Sequence, residues 1–342
     1  MRQNGGVEPY VINGGLRMNY LARRLARAIV LLIAVSALCF LFTEMAPGSF
    51  FDEMRLNPQI SPETIALLRS RYGLDQPLIV RYGRWLKSAA HADFGYSVAY
   101  NLEVGPLLRS RAANTLLLTS SAMLLAWMIS VPVGVWAAAR RGHMLDSAST
   151  VISSLLIAIP EVVLAVALLA IVVRWRLFPI GGMKSVEFEG LPFWSRALDL
   201  ARHMLLPMIV LALLDSAIIV RHIRASVLEV LAAPFVQATR GFGIAPARML
   251  FRHLLPAAAN PAISLFGFSL AGLVSGSLIV EVICGWPGLG PLILEATLSH
   301  DFYLVIGGIM ISTLFITGGN LIADVLLVAL DPRIRSGAPD AL

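Results

Sequence analysis

Residues 205–256 contain the two features that decide the fold, and they read LLPMIVLALLDSAIIV (205–220) followed by RHIRASVLEVLAAPFVQATRGFGIAPARMLFRHLLP (221–256). The first part is apolar apart from one aspartate and one serine, which is typical of a helix that crosses a bilayer. The second part is basic and carries prolines and glycines at intervals, which indicates short helices joined by turns. The sequence therefore predicts a membrane span that leads into a structured polar loop.

Five further apolar runs have the length of a membrane span. A crossing needs about 20 mostly apolar residues, and the six predicted spans are 25–43, 115–138, 151–173, 205–220, 263–282 and 304–330. The first run follows several arginines, as in a signal peptide, but the residues after it lack a small-x-small cleavage pattern, so we predict a retained span. The predicted fold class is all-α, a polytopic membrane protein with about six transmembrane helices.

The composition agrees with this fold class. Of the 342 residues, 57% are hydrophobic and 14% are charged, and the mean hydropathy is +0.77. Soluble domains contain roughly 45–50% apolar and about 25% charged residues, so one globular core cannot bury this excess. The composition excludes a soluble enzyme and a disordered chain, and two cysteines cannot build a disulfide scaffold.

The arginines set a predicted orientation. The net charge of +6 resides mostly at the ends of the apolar runs, where it acts through the positive-inside rule rather than as a nucleic-acid surface. Arginines flank the first span and fill the loops after spans two and four, whereas residues 283–303 contain no Lys or Arg. Both termini are therefore predicted to be cytoplasmic. One loop departs from the pattern, because spans three and four are joined by Arg174, Arg176, Lys184, Arg196 and Arg202.

The predicted organisation follows from these spans. It comprises a cytoplasmic tail (1–24), the first span (25–43), an extracytoplasmic helical loop (44–113), a five-span core (114–335) with a cytoplasmic loop (221–258), and a C-terminal tail (336–342). Within the first loop, Ser61-Pro62-Glu63 predicts one helix start and Asp75-Gln76-Pro77 opens an amphipathic stretch to about Ser88. This loop is interpreted as a lid on the membrane face, as a docking surface for an external partner, or as both.

The loop 221–258 is predicted to be a compact projection. Pro234 can start a short helix that Gly241 and Gly243 stop, and Pro246 can start a second helix that ends before Pro256. Two short helices joined by a glycine turn offer a defined shape for a cytoplasmic partner to grip.

Charged residues inside apolar runs are candidates for function, because an unpaired charge in the bilayer is costly. Glu161 and Asp215 are interpreted either as part of a translocation path or as members of structural pairs, and Glu281 and Asp324 as structural. Ser275 is a further path candidate, although the glycines around it also favour close helix contact. In the external turn, Trp286, Pro287, Gly288 and Gly290 form either an outer gate or partner contact, or an interfacial anchor centred on the tryptophan. Pro132 and Pro160 predict kinks within spans two and three.

Several ordered stretches resemble one family. Gln237-Ala238-Thr239, Gly243 and Leu255-Pro256 resemble the Glu-Ala-Ala loop of binding-protein-dependent ABC import permeases. Further stretches resemble the first permease of the dipeptide, oligopeptide and nickel class. They are Ala46-Pro47-Gly48, residues 71–77 (RYGLDQP), Asp93-Phe94-Gly95, Glu281 with residues 285–290 (GWPGLG), and Leu330-Asp331-Pro332-Arg333. Gln237 departs from the pattern, which has glutamate there, so a specific salt bridge from this position is not implied.

The resemblance implies a type I ABC importer permease fold in a bacterial inner membrane. It also implies a similar but non-identical second permease, two ATPase subunits that bind ATP and Mg²⁺, and an extracytoplasmic solute-binding protein. Peptides are the commonest cargo of this class, with nickel chelates, glutathione and oligosaccharides as alternatives. No cofactor or metal is implied on this chain, whose two lysines do not follow a glycine and so cannot form a P-loop.

Two alternative functional classes fit the sequence less well. An ion-coupled secondary transporter or channel would use Glu161 and Asp215 for ion coupling, but the chain shows no convincing internal repeat and such a carrier does not need the projection 221–258. An intramembrane enzyme needs a base near a nucleophile, and the spacing Gly272-Leu273-Val274-Ser275-Gly276 does not fit a nucleophile elbow.

Overall fold

The computed structural model describes residues 14–45, 76–234 and 255–330, with isolated positions at 61, 63, 236 and 249. The helices are α1 (Gly14–Met45), α2 (Leu78–Ala89), α3 (Val104–Ala139), α4 (Met144–Ala158), α5 (Glu161–Trp175), α6 (Phe193–Ala232), α7 (Leu255–Cys284), α8 (Leu289–Leu298) and α9 (Phe302–Leu330). Strands β1 (Tyr96–Ser97) and β2 (Leu102–Glu103) pair antiparallel, and a 3₁₀ turn covers Phe188–Gly190. Among the described residues the fold is therefore helical apart from one short hairpin.

The predicted number of spans agrees with the structure. Within the described residues, five helices are long and apolar enough to cross a membrane, and the bent pair α4–α5 makes a sixth span if it is counted as one. Several predicted spans are shorter than the helices that contain them. Helix α1 begins at Gly14, within the predicted tail, and α3 begins at Val104 rather than at 115. Helix α6 covers Phe193–Ala232 rather than 205–220. Helical hydrogen bonding continues beyond the apolar window wherever no residue stops it, so hydropathy alone marks only the central part of such a helix.

The predicted third span is broken rather than merely kinked. Ile159, the residue before Pro160, is extended (ψ 123°), and α4 and α5 meet at an angle of 103°. A residue before proline avoids the helical region for steric reasons, and Pro160 then starts α5 without needing an N–H donor. In contrast, α3 continues through Pro132 from Val104 to Ala139.

Helices α3, α6 and α7 form the centre of the protein. Leu118 of α3, Leu211 of α6 and Leu273 of α7 are buried in one cluster that also takes in α5. Close approach of α7 to α9 depends on Gly267, because a Cβ there would lie 2.4 Å from the Cβ of Ala323. A Cβ at Gly272, one of the glycines around Ser275, would instead meet no atom within 4 Å among the described residues, so the close contact predicted there is absent from this part of the chain.

After α7 the chain turns back into the protein. Gly285 has φ +66°, a value that favours glycine, and Trp286 follows with its side chain fully buried. Its Nε1 donates to the carbonyl of Asn114 on α3 (3.1 Å), and the Asn114 side chain donates to the carbonyl of Pro287 (2.8 Å). Trp286 is therefore a core residue, and its interpretation as an interfacial anchor is wrong.

The carboxylate of Glu281 organises the same turn from the other side. The backbone N–H of Gly290, in the first turn of α8, donates to Glu281 Oε2 (2.7 Å), and that of Leu289 donates to the Thr115 hydroxyl (2.9 Å). A carboxylate at a helix N-terminus satisfies free N–H groups and is favoured by the helix dipole. We call Gly285–Gly290, with Glu281, Asn114 and Thr115, the turn lock.

The two glycines at the end of the turn lock are required for different reasons. An ideal Cβ at Gly288 would lie 2.4 Å from the carboxyl carbon of Glu281, and the three nearest atoms all belong to this carboxyl group. A Cβ at Gly290 would instead lie 2.2 Å from the backbone oxygen of Leu278. The first contact involves a side chain that mutation can remove, and the second involves backbone.

A small subdomain precedes α3 and attaches to the start of α9. Helix α2 covers most of the amphipathic stretch predicted after Pro77, and its Trp85 donates to the carbonyl of Phe94 (3.1 Å). Ser97 donates to the buried carboxylate of Asp301 (2.6 Å). Tyr100 donates to Glu295, and burial together with this carboxylate raises the pKa of Tyr100 to about 12, so the phenol remains a donor at neutral pH. Most of the helix predicted from Ser61-Pro62-Glu63 lies outside the described residues.

The turn lock generates a double-mutant prediction. We expect Glu281→Ala to destabilise the protein by about 1–3 kcal/mol because it leaves the Gly290 N–H without an acceptor. We expect Gly288→Ala to destabilise the wild type but to cost less in the Glu281→Ala background, where the carboxyl group that it would strike is absent. The measurement is the midpoint of thermal unfolding of the purified protein.

Gly267→Ala is the matched control, because its Cβ would strike Ala323 on α9 and does not touch Glu281. Its cost should be equal in both backgrounds. Equal costs of Gly288→Ala in the two backgrounds would contradict the geometry of the turn lock.

Candidate translocation site and coupling segment

Two of the four acids singled out in the sequence have structural partners. Asp324 on α9 forms a salt bridge with Arg24 on α1, with 2.8 Å between Oδ1 and Nη2. Glu281 is fully buried within the turn lock. These contacts agree with the structural interpretation of both residues.

The other two acids, Glu161 and Asp215, approach one face of α7. The Oε1 of Glu161 lies 2.9 Å from the position that a Cβ on Gly276 would occupy, and Asp215 lies within hydrogen-bonding reach of the Ser269 hydroxyl. Ser269 and Gly276 are two turns apart on α7, about 10 Å along the helix, and therefore share a face. Carboxylates from α5 and α6 thus converge on this face.

Each of these carboxylates keeps an oxygen without a partner. Glu161 Oε1 and Asp215 Oδ2 are buried atoms that accept no hydrogen bond within the part of the chain that the structure describes. Neither whole side chain is fully buried. An unsatisfied buried carboxylate oxygen is costly, and Glu281 Oε1 in the turn lock is unsatisfied in the same way.

Ser275 is exposed on α7, one residue before Gly276. It is therefore adjacent in sequence to the glycine that Glu161 approaches, whereas Asp215 approaches α7 two turns away, at Ser269.

The candidates at the outer turn have a different setting. Trp286, Gly288 and Gly290 are buried and Pro287 is half-buried, so they contact their own chain through the turn lock. A role as an outer gate or partner contact would have to act through the position of this turn.

Only part of the loop 221–258 is described. Pro234 follows the end of α6 and is exposed, and Leu255 and Pro256 form the start of α7. Val236 and Met249 are buried against Val230 and Leu231. These two residues of the loop therefore lie together at the end of α6. Gln237, Ala238, Thr239, Gly241, Gly243 and Pro246 lie outside the described residues.

An ion pair that the sequence analysis did not identify joins α4 to α6. Arg224 Nη2 donates to Asp146 Oδ2 (3.1 Å), and its Nε donates to the other oxygen of that carboxylate. The backbone N–H of Gly142 also donates to Asp146 (2.9 Å). In the sequence, the only indication of this pair is that Asp146 lies in the first turn of α4, shortly after Gly142. Its partner Arg224 is 78 residues away.

The described residues contain no group of three or more His, Cys, Asp or Glu side chains that could hold a metal ion.

Comparison with known families identifies two matching models. Residues 130–336 match the model described as "Binding-protein-dependent transport system inner membrane component". Residues 17–119 match the corresponding N-terminal model, described as "Binding-prot-dependent transport system membrane comp, N-term". Together the two models cover most of the chain, and α3 (Val104–Ala139) crosses the gap between the two matched regions.

Characterised relatives match along almost their entire length. The oligopeptide transport system permease protein AppB of Bacillus subtilis is 34% identical over 320 residues, which are 92% of this chain and 99% of that protein. The dipeptide transport system permease protein DppB of Escherichia coli is 31% identical over 335 residues, covering 93% and 99%. The oligopeptide permease OppB of Mycobacterium bovis is 32% identical over 322 residues, covering 92% and 98%.

A solved structure supports the fold. The inward-facing MetNI methionine ABC transporter matches with a TM-score of 0.50 at 19% identity, over 66% of this chain and 96% of the matched chain. The type I ABC importer permease fold is thus shared. The chain belongs to the family of binding-protein-dependent transport system inner membrane components, multi-pass permease subunits of ABC importers that work with ATPase and substrate-binding partners and have no ATPase site of their own.

Proposed function

We propose that this chain forms, with a second and non-identical permease, the translocation path of an importer for di- or oligopeptides. The names and coverage of the relatives support a peptide cargo. In the structure, the observation that carries the proposal is the pair of carboxylates, Glu161 and Asp215, which approach one face of α7 and each keep an oxygen without a partner among the described residues. Every peptide with a free N-terminus carries an ammonium group that such oxygens can bind.

The broken span supplies a surface for the second permease. Val151, Ile152 and Leu155 of α4, and Val163 and Val166 of α5, are all at least half exposed. Apolar residues on adjacent helices favour either lipid or another apolar helix surface. We propose that part of this surface packs on the second permease, so that Glu161 and Ser275 face the interface between the subunits.

The loop 221–258 is the proposed site of coupling to ATP hydrolysis. We propose that ATPase subunits, which bind ATP and Mg²⁺, grip the segment that contains Gln237, Ala238 and Thr239. The contacts of Val236 and Met249 with Val230 and Leu231 support this role, because a loop held against α6 at these residues can transmit a displacement to that helix.

The first prediction concerns the carboxylates. In the reconstituted complex with its binding protein, we expect Asp215→Asn and Glu161→Gln to lower peptide uptake about tenfold or more, because a charge-assisted hydrogen bond contributes about 1.5–3 kcal/mol. Uptake of an N-acetylated peptide, which lacks the ammonium group, should fall less than uptake of the free peptide when each variant is compared with the wild type. Glu229→Gln, at an exposed position on the same helix as Asp215, is the control.

Equal loss of both peptides would contradict an ammonium-binding role for these residues while leaving peptide import intact as a function. Wild-type uptake that requires an ion gradient and no ATP would overturn the importer itself.

The second prediction concerns coupling. We expect Gly243→Pro, or Ala238→Arg, to abolish uptake while the assembled complex still hydrolyses ATP, because the changes alter the shape that the ATPase grips. Ala201→Arg, at an exposed position near the opposite end of α6, should leave uptake unchanged. Normal uptake in the two loop variants would contradict the coupling role.

The third prediction concerns orientation, with both termini in the cytoplasm. In a cysteine-free background, we expect Leu298→Cys to react with a membrane-impermeant maleimide from outside and Arg141→Cys only after permeabilisation, since both positions are exposed. The basic loop between spans three and four is compatible with this orientation, because Arg196 donates to the carbonyl of Leu191 (2.8 Å) and Lys184 lies 4.5 Å from the Phe188 ring centroid. The reverse labelling pattern would overturn the topology.

A further inference from the structure

Helix α1 lies at the edge of the described structure. It packs on α9 along its length and on α2 near its end. The helices run antiparallel, because Arg24 meets Asp324 at one end and Phe40 meets Ile306 at the other. Most of the apolar side chains of α1 are exposed, including Leu25, Ile29 and Val30. In a membrane this apolar face of α1 is covered either by lipid or by a neighbouring subunit.

A cleft of about 180 Å³ opens between α1 and α9 at the arginine-rich end of the span. Its polar lining includes Arg24 and Arg27 from α1 and Asn320 and Asp324 from α9. The apolar span Ala22–Thr43 begins at this level, so the cleft lies where phospholipid headgroups meet the hydrocarbon. Its volume is below the roughly 300–1,000 Å³ of sites that enclose a whole small molecule, and it fits a headgroup whose chains remain outside.

The charges in the cleft are unequal. Asp324 is engaged by Arg24 at 2.8 Å, whereas Arg27 is exposed and makes no ion pair or hydrogen bond among the described residues. One acid therefore faces two guanidinium groups, and the excess positive charge lies on Arg27. A guanidinium group binds phosphate through two parallel hydrogen bonds.

An apolar track leads from the cleft toward the middle of the membrane. Leu31 on α1 lines the cleft, and Leu314 lies further along α9 in the same direction. Both side chains are nearly half exposed. An acyl chain attached to a phosphate in the cleft can lie along this track, which a free phosphate ion would not use.

We propose that this cleft binds the phosphate group of an anionic phospholipid and that the bound lipid fastens α1 to α9. Basic pockets between membrane helices are a recognised way to bind anionic headgroups. The proposal depends on the membrane-spanning fold and not on the identity of the transported solute.

The test compares two arginines that differ in position and not in charge. The complete transporter, purified in mild detergent from bacteria, is analysed by native mass spectrometry for retained phosphatidylglycerol or cardiolipin, with Arg27→Gln and Arg23→Gln as variants. Arg23 is exposed but does not line the cleft. We expect Arg27→Gln to reduce retained anionic lipid about tenfold or more and Arg23→Gln to leave it nearly unchanged.

Other results would overturn the proposal. Equal reduction in both variants would show general attraction to a basic surface, which is worth about fivefold for each arginine. No reduction in either variant would show that the lipid binds elsewhere. A second measurement uses the delipidated transporter in phosphatidylcholine nanodiscs: added phosphatidylglycerol should raise the unfolding temperature of the wild type but not of Arg27→Gln. An equal rise with inorganic phosphate would assign the cleft to the free ion instead.

Discussion

The fold depends on how a break in helical hydrogen bonding is satisfied inside an apolar protein. Between Cys284 and Leu289 the chain leaves one helix and starts another, and lipid offers no partner for the backbone groups that become free. Glu281 and Thr115 accept from the first N–H groups of α8, and Asn114 bonds with Trp286 and Pro287. These contacts join α3, α7 and α8, so the outer turn and the central helices form one structural unit.

The same constraint separates the intramembrane acids into two kinds. Glu281 and Asp324 have their charge or hydrogen-bonding capacity used by the chain itself. Glu161 and Asp215 accept from no helix N-terminus and meet no cation among the described residues, and each retains a buried oxygen without a hydrogen bond there, as Glu281 also does at Oε1. A permease must hold its helices together and also offer weak, temporary partners to a polar solute. In the proposed function Glu161 and Asp215 serve the second task, which the presence of a carboxylate alone could not have assigned.

The sequence predicted the number and type of elements better than their ends or contacts. Six apolar runs correspond to the spans because hydrocarbon thickness sets a minimum length. Helix α8 was missed because its ten residues are too few for a span and lie in what resembled a loop. Trp286 was misplaced because a tryptophan near a membrane surface has the same local sequence whether it faces lipid or core. The Asp146–Arg224 pair was missed because pairing across 78 residues requires the fold.

The length of α6 links the site to the loop that follows it. Its 40 residues extend about 60 Å, twice the roughly 30 Å of hydrocarbon. Asp215 lies within this helix, Arg224 pairs its C-terminal part with α4, and Val230 and Leu231 contact Val236 and Met249 of the loop that follows. A displacement applied to that loop therefore reaches α4 and the neighbourhood of Asp215 through a continuous helix and one ion pair. Because α4 leads directly into the break at Pro160, where Glu161 begins α5, both carboxylates lie on elements that such a displacement would move.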